Sequence, residues 1–169
     1  MRAQRLDPLN PSVFRNAGVI EYSARKYAAA LAPLQSALRL NPKISGVYPL
    51  LGDMEILQGK AAEALAYYRK IPSGFDRLKG LAIAETKMGN REAGQAAMAQ
   101  MIAEFGDNSL YQQAQILAQW GELEPAILAL EKAYLTGDSG LVLSRNDPLL
   151  DPVRSGKRFT QLQEKLGFE

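Results

Sequence analysis

Three glutamates are the first residues whose spacing could carry chemistry: Glu21, Glu55 and Glu85 recur at intervals of 34 and 30. Carboxylates gathered in one cleft act as an acid–base pair or hold a metal, and either role needs a nucleophile or further ligands nearby. No such partner accompanies them. A second acidic set, Asp147-Pro148 and Asp151-Pro152, reads as a ligand site or, more simply, as two caps. An aspartate before a proline satisfies the free N–H groups that open a helical turn, and the proline ring already holds the helical φ. The 169 residues include no histidine and no cysteine. That removes disulfides, thiolate nucleophiles, Cys/His zinc sites and the side chain most used as a base near neutral pH. The expectation is a protein that is not an enzyme, with no catalytic residue, metal or cofactor.

Lys and Arg number 20 against 18 Asp and Glu, a formal net charge of +2. No basic stripe of the kind that displaces counterions from nucleic acid is present. No run approaches the roughly 18 apolar residues of a membrane span, and Met1-Arg2-Ala3-Gln4-Arg5 lacks the apolar core of a secretion signal. Neither nucleic acid nor membrane is an expected partner of this segment, and the cytoplasm is the expected location.

The elements that would position these residues repeat. Ala37-Leu38-Arg39-Leu40-Asn41-Pro42 echoes Ala3-Gln4-Arg5-Leu6-Asp7-Pro8 at a spacing of 34, which also separates Gly18 from Gly52 and Ala30 from Ala64. Gly59, Gly89 and Gly121 follow at 30 and 32, each in a turn between helical patterns, while the first repeat has Ala24-Arg25-Lys26-Tyr27 there instead. Apolar residues recur at three- and four-residue steps, as in Val47, Leu50, Leu51, Met54 and Leu57 or Leu123, Ile127, Leu130 and Tyr134, giving one apolar face per helix. Sustained alternation is absent, so no sheet is expected.

These landmarks resemble the tetratricopeptide repeat, whose pattern is aromatic-x2-Leu-Gly-x2-Tyr, then Ala-x3-aromatic, Ala and Pro. Phe14, Ala17, Gly18, Tyr27, Ala30, Leu34, Ala37 and Pro42 match it in the first unit, and Tyr48, Leu51, Gly52, Gly59, Ala64 and Tyr68 in the second. Leu78, Leu81, Ala82, Gly89, Gly94 and Met98 are a weaker third match, and Leu110, Ala114, Gly121, Ala126, Leu130 and Ala133 a fourth. The resemblance implies an all-α fold, a right-handed α–α superhelix of about four hairpins (11–44, 45–74, 75–106, 107–136). Residues 1–10 read as the end of a preceding repeat, so the chain is expected to be a piece of a longer protein; the alternative is an N-terminal strap on the first hairpin. The second unit is four residues short, at Ile71-Pro72-Ser73-Gly74, about one helical turn. A local change of superhelical pitch is expected there. Glu21, Glu55 and Glu85 replace the usual tyrosine and are expected to pair with Arg25, Lys60 and Arg91.

Residues 137–169 read as a capping tail with a closing helix, Leu149, Leu150, Val153, Phe159, Leu162 and Leu166 covering the last hairpin. The run from Asp147 to Phe168 resembles the tail of bacterial repeat proteins fused to winged-helix, nucleotide-cyclase or kinase domains. By resemblance, first helices line a concave groove for a peptide. The corresponding positions are Arg15, Val19 and Tyr22; Pro49, Asp53 and Ile56; Lys79, Ile83 and Lys87; and Tyr111, Gln115 and Gln119. Arg15 stands where one subfamily has the Lys that clamps a chaperone's C-terminal carboxylate, but Val19 replaces the clamp Asn. The expected function is a protein-interaction module holding a protein or peptide, the regulatory or sensory part of a larger bacterial signalling or transcription-regulator protein. The alternative is self-association, as a homo-oligomer, or a spacer.

Overall fold

The computed structural model describes residues 7–168; residues 3–6, on which the reading of a preceding repeat rests, lie outside them. Among the described residues the chain is all-helical, without a strand. It runs through α1 (Pro11–Ser23), α2 (Tyr27–Leu40), α3 (Val47–Leu57), α4 (Ala61–Tyr68), α5 (Phe75–Lys87), α6 (Arg91–Phe105), α7 (Leu110–Trp120), α8 (Leu123–Thr136) and α9 (Lys157–Lys165). Tighter 3-10 turns lie at Gly106–Ser109, Ser139–Leu143 and Pro148–Val153. No helix among the described residues is long and apolar enough to cross a membrane.

Each helix pairs with its chain neighbour: α1 with α2, α3 with α4, α5 with α6, α7 with α8. Short turns enforce the pairing. The amides of Lys26, Lys60, Asn90 and Glu122 reach back to the carbonyls of Glu21, Glu55, Glu85 and Leu117 at 2.8–2.9 Å. That closure needs a left-handed residue just before it, which satisfies the last carbonyls of the helix. Gly59, Gly89 and Gly121 supply it at φ of 78–90°, but the first turn puts Arg25 there at φ 60°. Small residues then let paired helices approach. Ala30, Ala64, Ala82, Ala114 and Ala126 have no exposed surface. A Cβ on Gly52 would sit 2.5 Å from the Tyr68 ring, and Gly80 meets the same ring from the other side.

The short second pair is real: α4 has 8 residues against 14, 15 and 14 for α2, α6 and α8. It ends on Tyr68, whose fully buried ring fills the space between α3 and α5.

The tail departs from the expectation. Leu150, Val153, Phe159 and Leu162 pack against the last pair as expected, with Leu166 partly buried beside them. Leu149 instead enters the central cluster with Ile56, Ile83 and Ile116. The 3-10 turn at Pro148–Val153 therefore lies along α7 and reaches α3. Asp147 caps that turn through the Leu149 amide at 2.9 Å, with Pro148 in its first turn. Asp151 does not cap anything; Pro152 falls inside the turn. Its carboxylate is clasped by Arg25, whose Nε donates at 2.9 Å, and by Arg154 at 2.8 Å. Burial alone would raise the Asp151 carboxyl, but the hydrogen bonds from Arg25 and Arg154 outweigh it and hold the group below the usual carboxylate range.

A depressed carboxyl contributes stability above its ordinary pKa and loses it as pH falls through the folded value. The advantage of wild type over Arg25→Ala, about 0.2–1 kcal/mol for so exposed a pair, is therefore expected near neutral pH and disappears in acid. Arg25→Gly loses the same pair but relieves the left-handed backbone, so it should be about 1 kcal/mol more stable than Arg25→Ala. Urea denaturation at pH 7 and pH 3 checks both.

Candidate ligand cavity

The first helices of all four pairs and the tail line an open cavity of about 430 Å³. Helix α1 contributes Arg15, Val19 and Tyr22; α3, Pro49, Leu50 and Asp53; α5, Asp76 and Lys79; α7, Tyr111, Gln112 and Gln115; the tail, Val142, Leu143, Asn146 and Asp147. Helical periodicity aims these side chains one way, since Arg15, Val19 and Tyr22 are spaced by four and three, as are Tyr111 and Gln115 by four. A larger cavity of about 610 Å³ lies between the connections around Pro42–Pro49 and Lys70–Asp76. None of the buried polar atoms that have no hydrogen-bond partner lines that one.

At the floor, Asp53 is 5% exposed and Lys79 3%. One Asp53 oxygen accepts from the Tyr68 hydroxyl at 2.6 Å, the other from Lys79 Nζ at 2.9 Å. Burial pushes the Asp53 carboxyl up, against the pull of Lys79 and Tyr68. Burial would lower Lys79, but Asp53 and then Asp76 more than offset it and raise the ammonium. Lys79 therefore stays charged throughout the neutral range.

Across the cavity Asp147 accepts from the Tyr111 hydroxyl and from Gln115 Nε2, both at 2.6 Å. Burial and then Asp147 push the Tyr111 phenol far up, so it remains a donor. Gln119 donates to the Leu149 carbonyl at 2.7 Å. The Tyr111 amide reaches Asp138 at 3.1 Å, and Asp138 also caps the 3-10 turn that starts at Ser139. Three of the groove positions read from the sequence, Tyr111, Gln115 and Gln119, thus hold the chain's own tail.

The other positions divide. Arg15, Val19, Tyr22, Pro49, Asp53 and Lys79 line the cavity with Tyr111 and Gln115. Ile56 and Ile83 are buried beneath Leu149 and offer no accessible wall, because the tail covers that stretch of the face. Lys87 is exposed near the end of α5, its ammonium lowered by partial desolvation, and is not part of the cavity.

Two atoms in the wall have no partner among the described residues. The Tyr22 hydroxyl is buried without a hydrogen bond, as is Gln112 Oε1. Burial, followed by Asp53 and Asp147, pushes the Tyr22 phenol well up, so it carries its proton. Gln112 escaped the sequence reading because a residue next to Tyr111 is turned about 100° from it around the helix. Asp76 escaped as well, a lone acid in the first turn of α5.

The spaced glutamates do not converge. Glu55 pairs with Lys60 at 3.6 Å as expected. Glu85 pairs with Arg69 at 3.5 Å and accepts from Asn90 at 2.9 Å, while Arg91 turns to Glu122. Arg25 turns from Glu21 to Asp151. Among the described residues no group of three or more His, Cys, Asp or Glu is placed to hold a metal ion.

Compared with known proteins, the chain matches no family model and no curated protein.

Lys79→Met leaves Asp53 buried without its countercharge and should cost about 3–5 kcal/mol in urea denaturation. Adding Asp53→Asn removes the uncompensated charge and is expected to recover a substantial part of that loss. Additive costs in the double variant would show that the pair does not act as a unit.

Proposed function

We propose that this chain is a protein-interaction module of four tetratricopeptide-type hairpins, wound as a right-handed α–α superhelix and closed by its own tail. It serves as the regulatory or sensory part of a larger bacterial signalling or transcription-regulator protein in the cytoplasm. The observation that carries the reading is the cavity itself. Side chains from the first helix of every pair converge on it, and two of its buried polar atoms lack a partner among the described residues. A buried polar atom without a hydrogen-bond partner costs about 1–3 kcal/mol, which a ligand meeting Tyr22 and Gln112 would recover; Glu55, Thr86 and Gln163 hold such atoms outside the cavity. The tail narrows the partner's seat: it engages Tyr111, Gln115 and Gln119 of α7, so the partner segment meets α1, α3, Asp76 of α5, Gln112 and the tail's own Val142 and Leu143.

Self-association is a second reading, favoured by a different surface. Leu128 and Leu135, two turns apart on α8, are 52% and 82% exposed, and Tyr134 is 39% exposed beside them. An apolar stripe of this kind marks an interface between copies when it is large enough.

Peptide display against the folded chain separates the two. Selected peptides are expected to bind wild type and to lose at least tenfold in affinity to Val19→Trp, which fills the cavity. Peptides indifferent to Val19→Trp would remove the cavity from the proposal. Light scattering of a single monomeric mass across concentrations would remove self-association.

A further inference from the structure

The unpartnered atoms in the cavity specify what kind of group belongs there. Gln112 Oε1 can only accept a hydrogen bond, while the Tyr22 hydroxyl can accept as well as donate, so the choice between cation and anion rests on Gln112 and the charges. Charge points the same way. Lys79 is already committed to Asp53 at 2.9 Å. Asp147 is held by neutral donors, Tyr111, Gln115 and the Leu149 amide. Asp76 has no ion pair among the described residues. Against these carboxylates the cavity sets Arg15, whose guanidinium is turned onto Asn16 at 3.1–3.3 Å and lies by Gly46. A carboxylate entering this space would face Asp76 and Asp147 across a partly dry gap. A cation would meet them with acceptors waiting.

The remaining walls are aliphatic: Val19, Pro49, Leu50, Val142 and Leu143. Val142 and Leu143 are 71% and 59% exposed, so the apolar part lies at the accessible side. The opening therefore suits a hydrocarbon stem and the interior suits its charged tip. About 430 Å³ is within the usual size of a small-ligand site.

From these lining groups we infer that the cavity binds a primary ammonium group on an aliphatic chain, with Tyr22, Gln112 and Asp76 as the candidate acceptors. A lysine side chain of a partner peptide and a free diamine share that chemistry. The inference rests on the interaction reading above and makes it specific.

The test uses the whole chain and isothermal titration with three probes: the peptide acetyl-Gly-Lys-Gly-amide, its isostere with norleucine for lysine, and cadaverine. The lysine peptide is expected to bind, and the norleucine peptide at least tenfold more weakly. Cadaverine binding as tightly as the peptide assigns the site to free amines; weaker binding assigns it to lysine in a peptide. Tyr22→Phe is the decisive variant. It removes a buried hydroxyl that has no partner, so the unliganded chain should be as stable as wild type or more so. Ammonium binding should nonetheless fall about tenfold, and Asp76→Asn should act likewise. Equal binding of the norleucine peptide, or full binding by both variants, overturns the inference. So does a failure of both ammonium probes to bind at millimolar concentration. If display-selected peptides still depend on the cavity, that failure leaves the interaction reading standing; if they do not, both fall.

Discussion

A carboxylate taken out of water must be met by charge and hydrogen bonds from whatever surrounds it, and at Asp53 that requirement organises the middle of the molecule. The residue sits on α3, yet its two oxygens are satisfied by Tyr68 at the end of α4 and Lys79 on α5. No one of these helices can shift without exposing an unpaired group. Tyr68 does this polar work while its ring serves as the packing wedge for Gly52 and Gly80. The shortness of α4 follows from Pro72, which cannot continue the helix. The helix stops where its last tyrosine reaches both the acid and the two glycines.

The tail meets the same kind of constraint at the other end. Asp147 is 8% exposed and takes donors from Tyr111, Gln115 and the Leu149 amide. Its neighbour Leu149 is inserted among Ile56, Ile83 and Ile116. Polar and apolar anchoring therefore occur within three residues, and the tail forms part of the core. What stays accessible on this face is the space that the tail leaves beside α1 and α3.

Most of the helices could be read from the sequence, since spacing of apolar residues by three and four dictates a helix with one buried face. The turns were equally legible wherever glycine marked the left-handed residue. Arg25 hid the first one, because its side chain gives no sign of the φ it adopts. Ile56 and Ile83 show the limit of reading a face from one helix. They lie on the helices that line the cavity, but their burial depends on a tail roughly 70–90 residues further along the chain, which no local period reports. Two of the three glutamate pairings, Glu21 with Arg25 and Glu85 with Arg91, were misread for a related reason. Arg25 and Arg91 each had a nearby glutamate and chose a distant partner, and an exposed pair gains too little to enforce the local choice. Gln112 was missed because it lies one residue from Tyr111, about 100° round the helix from the face that identified Tyr111 and Gln115.

Stacks of helix pairs held only by nearest-neighbour contacts come apart from their ends, because the terminal pair has a neighbour on one side alone. The clasp between Arg25 and Asp151 joins residues 126 apart in the chain. It ties the first turn to the segment that also plugs the centre. Fraying of α1 and α2 is thereby coupled to release of the tail, and release of the tail uncovers Ile56 and Ile83. An architecture that is modular in sequence is thereby given one long-range tie, of the strength of an exposed ion pair, about 0.2–1 kcal/mol.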